Sequence, residues 1–265
     1  MRAASKYIWI ACTTARSHVA YAGEVFTRIV FMTVLLYVFS RVWLAVYGEN
    51  GGERLAGLTL AQTIWYLVVT EALTLSAPRT WAEVEQDVRT GRLTVQLLHP
   101  SSYALSHLGK AMGERIPRFA MCMLVGAATA LAIVGPIQWT LTGLVMFLAV
   151  LPLAFLLDFL GSFLVGLCAF WLENINGLAL IYTRSTMLLG GVMLPLEIYP
   201  ESLQPILRKL PFASMIYAPG RLFVDPAGAV FVDAIGTQAI AMVLFLCVVG
   251  SVHNVAMKRV FTNGG

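Results

Sequence analysis

The feature that most limits what this chain can become is a series of apolar runs near 20 residues long. That is the length a helix needs to cross a hydrocarbon core of about 30 Å. Six such runs are read, at 24–47, 57–77, 116–134, 139–172, 177–196 and 231–257. The fourth holds Pro152 and would measure about 51 Å at 1.5 Å per residue, so it must tilt, kink or protrude. Composition agrees with membrane spans. The 265 residues are 58% hydrophobic and 12% charged, against about 25% charged in soluble domains. An ordinary cytosolic enzyme, a disordered protein and a nucleic-acid-binding domain are thereby excluded. The net charge of +4 reads as cytoplasmic loops facing anionic lipid. Cys12, Cys122, Cys168 and Cys247 lie far apart with no CxxC, which gives no basis for a zinc site or disulfide framework.

Lys and Arg set the orientation. With the N-terminus inside, eleven fall on the cytoplasmic side and four (Arg54, Arg208, Lys209 and Arg221) on the other. Both termini are therefore expected in the cytoplasm. No cleavable signal peptide is read at the start, because Arg16 and His18 interrupt any apolar region. Residues 1–21 read as an amphipathic interfacial helix with Ile8, Ala11, Cys12, Ala15 and Val19 at helical spacing. A polar leader into the first span is the alternative.

Two polar stretches interrupt the spans. Residues 79–118 form a cytoplasmic segment: a charged helix over 83–90, a stop at Gly91, a break at His99-Pro100, and a second short helix capped by Ser101 or Ser102. This is the form of a docking element, and a solvated loop with a membrane-hugging helix is the other reading. Residues 194–228 form an external segment whose six prolines forbid one continuous helix, while Leu203, Ile206, Leu207, Phe212, Ile216 and Tyr217 are too apolar for a free loop. Short helices re-entering the outer leaflet fit, as a gate or as a structural cap.

No phosphate-binding loop, HExxH or GxSxG occurs, and the four histidines are scattered and read as interfacial residues. Depth arithmetic draws four charges together. Arg28 and Arg184 lie about 9 and 10 Å inside the first and fifth spans, with Glu71 and Asp158 about 21 and 28 Å along the second and fourth. An unpaired charge in a span is costly. Glu71 or Asp158 is expected to pair with Arg28 or Arg184 in a layer that closes the inner end of a pathway, where a cationic substrate could also bind. Separate snorkelling of each charge is the alternative.

The run Asp87-Val88-Arg89-Thr90-Gly91-Arg92-Leu93, followed by Gln96-Leu97-Leu98-His99-Pro100, resembles the cytoplasmic segment of ABC-2 type transporter permeases. Ala169-Phe170-Trp171-Leu172-Glu173-Asn174 resembles the end of the family's fourth span, and Gly190-Gly191, Pro195-Leu196-Glu197-Ile198-Tyr199-Pro200, Pro211-Phe212-Ala213 and Tyr217-Ala218-Pro219 resemble the outer re-entrant region of one subfamily. The likeness covers nearly the whole chain, to a six-span subfamily encoded with a second permease and an ATPase. It implies an all-α membrane protein, residues 1–265 forming a single transmembrane domain of type V exporter form. Six transmembrane helices, an N-terminal interfacial helix, a cytoplasmic coupling helix and outer re-entrant helices would compose it.

The resemblance further implies a permease subunit of an exporter in the bacterial inner membrane, driven by separate ABC ATPase subunits that hold ATP and Mg. This chain itself would carry no cofactor or metal and would be no enzyme. Asp87, Val88, Arg89, Arg92 and Leu93 would meet the ATPase; Pro195, Glu197, Pro211, Phe212, Ile216 and Tyr217 would form the outer gate. The expected partners are the ATPase, a second permease, identical or homologous, and membrane lipids, with no nucleic acid. Some relatives are described as exporters of amphipathic organic cations. Two other classes remain open at this point. An intramembrane protease would need a Ser/His pair near Gly161-Ser162, and an ion-coupled secondary transporter would show an inverted repeat.

Overall fold

The computed structural model of the chain describes residues 2–20, 22–49, 54–55, 57–93 and 102–263. Among these the secondary structure is helical apart from an isolated bridge between Leu55 and Leu58. The helices are α1 (Arg2–Ala20), α2 (Ala22–Glu49), α3 (Leu60–Leu75), α4 (Thr80–Arg89), α5 (Tyr103–Ile133), α6 (Leu141–Leu167), α7 (Asn176–Leu189), α8 (Gln204–Lys209), α9 (Pro211–Met215), α10 (Tyr217–Val224) and α11 (Gly228–Asn263). Single 3₁₀ turns cover Cys168–Phe170 and Leu196–Ile198.

Among the described residues four helices are long and apolar enough to cross a membrane: Phe26–Glu49, Tyr103–Ile133, Leu141–Phe170 and Gly228–Val252. The other two expected spans are shorter. The α7 helix stops at Leu189, because Gly190 and Gly191 follow and Gly191 takes a positive φ of 68°. The α3 helix has 16 residues and is the centre of the molecule, with every residue from Thr63 to Leu73 buried. A helix that is apolar all round belongs in such a position. Its start is fixed by a capping box. The Thr59 hydroxyl accepts from the Gln62 N–H at 3.2 Å, and the Gln62 carbonyl oxygen accepts from the Thr59 N–H at 2.9 Å. The same Gln62 amide donates to the Val224 carbonyl at 3.1 Å, tying α3 to the end of α10.

The outward surface is apolar, as lipid requires. Phe26, Val34, Val38 and Val42 of α2, Leu141, Val145 and Leu148 of α6, and Val232, Ile240 and Val243 of α11 are all exposed. Polar atoms instead point inward: Gln238 of α11 is fully buried and donates to the carbonyls of Val150 and Ser214 at 3.2 and 2.9 Å.

The 79–118 segment, expected on the cytoplasmic side, is organised differently from the expectation. The second short helix and the third span are one 31-residue helix, α5, which runs through Pro117. Its buried positions Tyr103, His107, Ala111, Arg115, Phe119, Cys122, Gly126 and Ala130 recur every three or four residues, so one continuous face holds it. The α1 helix lies along the first half of that helix. A Cβ at Gly109 would meet the Tyr7 carbonyl at 2.9 Å, and one at Gly113 would collide with the Ala11 carbonyl. Two missing side chains thus let the backbones touch, while Ile8 and Trp9 stay exposed on the far face of α1. The helix α4 ends where expected, with Gly91 at φ 70°. The expected break at His99-Pro100, with Gln96 to Ser101, lies outside the described residues.

Candidate functional site

A cavity of about 1080 Å³ is walled by the inner parts of α2, α3, α4, α5, α6 and α7. Its lining begins at Arg79, Glu83 and Gln86 of the cytoplasmic segment and ends at Met215 and Ile216, where α9 meets α10. The 194–228 segment therefore reaches the same space that the 79–118 segment borders. Met215 and Ile216 pack there with Leu157, Val192 and Ala241, one residue from Asp158.

Of the four charges expected in one layer, Arg28, Asp158 and Arg184 line this cavity. The pairing differs from the expectation. Asp158 is bound by Arg115, whose guanidinium contacts one carboxylate oxygen. The Tyr182 hydroxyl donates to the other at 3.0 Å. Arg115 also donates to the Leu73 carbonyl at 3.2 Å and lies 4.3 Å over the Phe155 ring, so its charge is met from three sides. One residue earlier, Glu114 pairs with Arg118 a turn further on. Arg28 donates to the Leu75 carbonyl. Arg184 is exposed to the cavity, with Met187 sulfur at 3.8 Å. Glu71 lies behind the wall, buried within α3, and its Oε1 has no hydrogen-bond partner among the described residues.

Arg115 was the missing member of the layer. It sat in what the sequence presents as a cytoplasmic stretch, and only the continuity of α5 carries it inward. The helical recurrence from Tyr103 through Phe119 is the signal that could have found it.

The α4 helix forms the end of the wall away from Met215 and Ile216 and is fastened to its neighbours. The Trp81 N–H donates to the Ser162 hydroxyl of α6 at 3.2 Å. Arg89 donates to the Glu173 carbonyl in the turn that leads to α7. His107, read as an interfacial residue, is in fact 1% exposed and lies 3.4 Å from Glu83 and 3.2 Å from Asp87. The Tyr103 hydroxyl donates to the same Asp87 oxygen at 3.2 Å. Asp87 is thus directed into the chain, and so is Leu93, which is buried against the same cluster. Val88 is half-buried there; Arg89 and Arg92 are the members of the expected docking set that face outward. A buried aspartate with internal partners cannot serve a partner's groove as first expected.

The outer residues come together in one ionic cluster. The Glu197 carboxylate accepts from the Tyr217 hydroxyl and lies 3.5 Å from Arg221 and 3.7 Å from Arg208. Arg221 pairs in turn with Asp225 at 2.8 Å. Pro195 precedes the 3₁₀ turn that carries Glu197, and Pro211 opens α9 at the position where a helix loses nothing to proline. Phe212 packs with Tyr182 of α7, and Ile216 and Tyr217 are buried. Burial raises the Tyr199 phenol above its usual range, which keeps it protonated as donor to the Leu188 carbonyl.

The arrangement holds a space bordered by both polar segments, inside a bundle whose outward surface is apolar. Ser162 lines it, yet its hydroxyl is engaged by the Trp81 N–H, and the described His107 is committed to Asp87 and Glu83. No curated protein matches the chain. The family model of the ABC-2 family transporter proteins matches residues 30–264. With apolar helices that span a membrane and a cavity between them, the chain belongs to the ABC-2 transporter family, the membrane component of transporters that generally work with ABC ATPase subunits.

Proposed function

We propose that this chain is the permease subunit of an ATP-binding-cassette exporter of the bacterial inner membrane, with six spans in the type V form and both termini in the cytoplasm. In this reading α3 and α7 complete the spans as a buried pair of short helices. The ATPase, holding ATP and Mg, docks beneath α4, and a second permease, identical or homologous, covers the cavity's open side. The reading is carried by the attachment of α4. Its end offers Arg89, with Arg92 just beyond the Gly91 stop, while Trp81, Ala82, Glu83 and Gln86 of the helix form cavity wall. A push on the tip is thereby a displacement of the wall. Because α4 is bonded to Ser162 and to the Glu173 carbonyl, the motion reaches α6 and α7 together. The roof at Met215 and Ile216 would then part to release solute outward.

The test is cross-linking. Cysteine at Arg89 or Arg92 should join the ATPase encoded with this chain. Cysteine at Leu93, which is buried, should not. Cross-links from none of the exposed positions, together with no stimulation of that ATPase by the reconstituted permease, would refute the reading.

A further inference from the structure

The cavity carries a charge imbalance that bears on what it takes. Five arginines line it (Arg28, Arg79, Arg115, Arg118 and Arg184) against three carboxylates, Glu83, Glu114 and Asp158. Each of the three faces a cation of the chain: Asp158 faces Arg115, Glu114 faces Arg118, and Glu83 lies 3.9 Å from Lys110. Arg79 and Arg184 are exposed and meet no carboxylate among the described residues. Arg184 lies about 12 Å along α7 from Asn176, and a charge within a membrane helix is costly unless it meets a counter-ion.

We infer that the cavity takes an amphipathic anion. Its phosphate, sulfate or carboxylate head would lie between Arg79 and Arg184, and its apolar body against Phe31, Leu180 and Ile216. The guanidinium fork suits such heads bidentately. The apolar part follows from the rim: Phe31 and Leu180 line the cavity and are 53% and 56% exposed. An anionic group entering there supplies countercharge to Arg79 and Arg184, and its tail finds an apolar rim at Phe31 and Leu180. The volume is at the upper end of small-molecule sites, which leaves room for a tail. The organic cations described for some relatives would find every carboxylate in the wall already paired. The inference rests on the permease reading for its use, but not for the binding event.

Binding is testable without any ATPase. The purified full chain in a neutral maltoside is mixed with a fluorescent alkyl phosphate, and its anisotropy is followed under competition. Dodecyl phosphate should displace it at about tenfold lower concentration than dodecyltrimethylammonium. Inorganic phosphate, which has no tail, should displace it only weakly. Arg79→Gln with Arg184→Gln should weaken the probe by about tenfold, while Arg184→Lys, which keeps the charge but loses the fork, should weaken it less than Arg184→Gln does, and Arg54→Gln, on the other side of the protein, changes nothing. Arg184→Glu should reverse the order of the two amphiphiles. Elution volume and thermal midpoint confirm that each variant is folded.

Mass spectrometry of the extracted protein then separates the sources. Anionic phospholipid held by the wild type and lost from the double variant marks a lipid of the inner leaflet. None held, with probe binding intact, marks a soluble amphiphile; both results support the site. Equal displacement by the two amphiphiles, or unchanged binding in the double variant, overturns the inference and leaves the permease reading standing. Failure of the ATPase cross-link would do the reverse.

Discussion

Two ionic clusters, one at each end of the same molecule, are built from the same kinds of residue and do opposite things. At the inner end Arg115, Asp158 and Tyr182 border a cavity of about 1080 Å³. At the outer end Arg221, Arg208, Glu197 and Tyr217 join three short helices, and the space beside Arg208 and Tyr217 amounts to about 20 Å³. The chemistry alone does not separate a pathway from a plug; what the charges border does. The inner pair joins α5 to α6 in the wall of a cavity. The outer cluster draws helices together over α3, where Tyr66 and Thr70 donate to the carbonyls of Gly191 and Val192 at 2.5 and 2.8 Å.

The comparison can be broken most severely at Asp158. Asp158→Ala leaves the Arg115 guanidinium buried without its carboxylate, which should cost about 3–5 kcal/mol of stability. Arg115→Met with Asp158→Leu should restore most of it. Thermal unfolding in detergent measures both, and a full-sized loss that persists in the double variant would show that the pair does more than neutralise charge. At the outer end Glu197→Gln should cost less, about 1.5–3 kcal/mol, because Asp225 still neutralises Arg221 and Arg208 is partly exposed. If it costs more than Asp158→Ala, the outer cluster is the principal prop and the contrast is wrong.

Gly113→Val tests the contact on the inner side that is made by backbone instead of charge. The added side chain meets the Ala11 carbonyl, so it should cost about 1–3 kcal/mol and release α1 to protease before the rest of the chain. The smallest effect belongs to Arg184→Gln. The side chain is exposed to the cavity, and stability should change by less than about 0.5 kcal/mol even though ligand binding falls.

Most of the helical plan was legible in the sequence, because apolar length and the positions of Pro and Gly report it directly. Gly91 ends α4, and the proline-rich 194–228 segment breaks into short helices, as their residues require. What was not legible were facts of contact. Whether Pro117 interrupts a helix depends on whether packing holds both halves, and here α1 and the face from Tyr103 to Ala130 do so. Once that helix is continuous, Arg115 moves from a loop to the cavity and displaces Arg28 and Arg184 as the partner of Asp158. Asp87 shows the same limit from the other side. Its charge in a polar run suggests a docking residue, but Tyr103 and His107, some 20 residues on, turn it inward.

The central claim is that the inner end is reachable and the outer end sealed. It is tested most directly by thiol labelling of vesicles that carry single cysteines in a chain without its four native ones. Thr183→Cys lies in the cavity wall, and Ala218→Cys lies buried in the outer cap. An impermeant reagent should modify Thr183→Cys from the cytoplasmic face at the rate of an exposed loop. Ala218→Cys should react from the outer face slower by at least about a hundredfold, because the cap must open first. Fast labelling of Ala218→Cys from outside, with Thr183→Cys silent from the cytoplasm, would contradict the account.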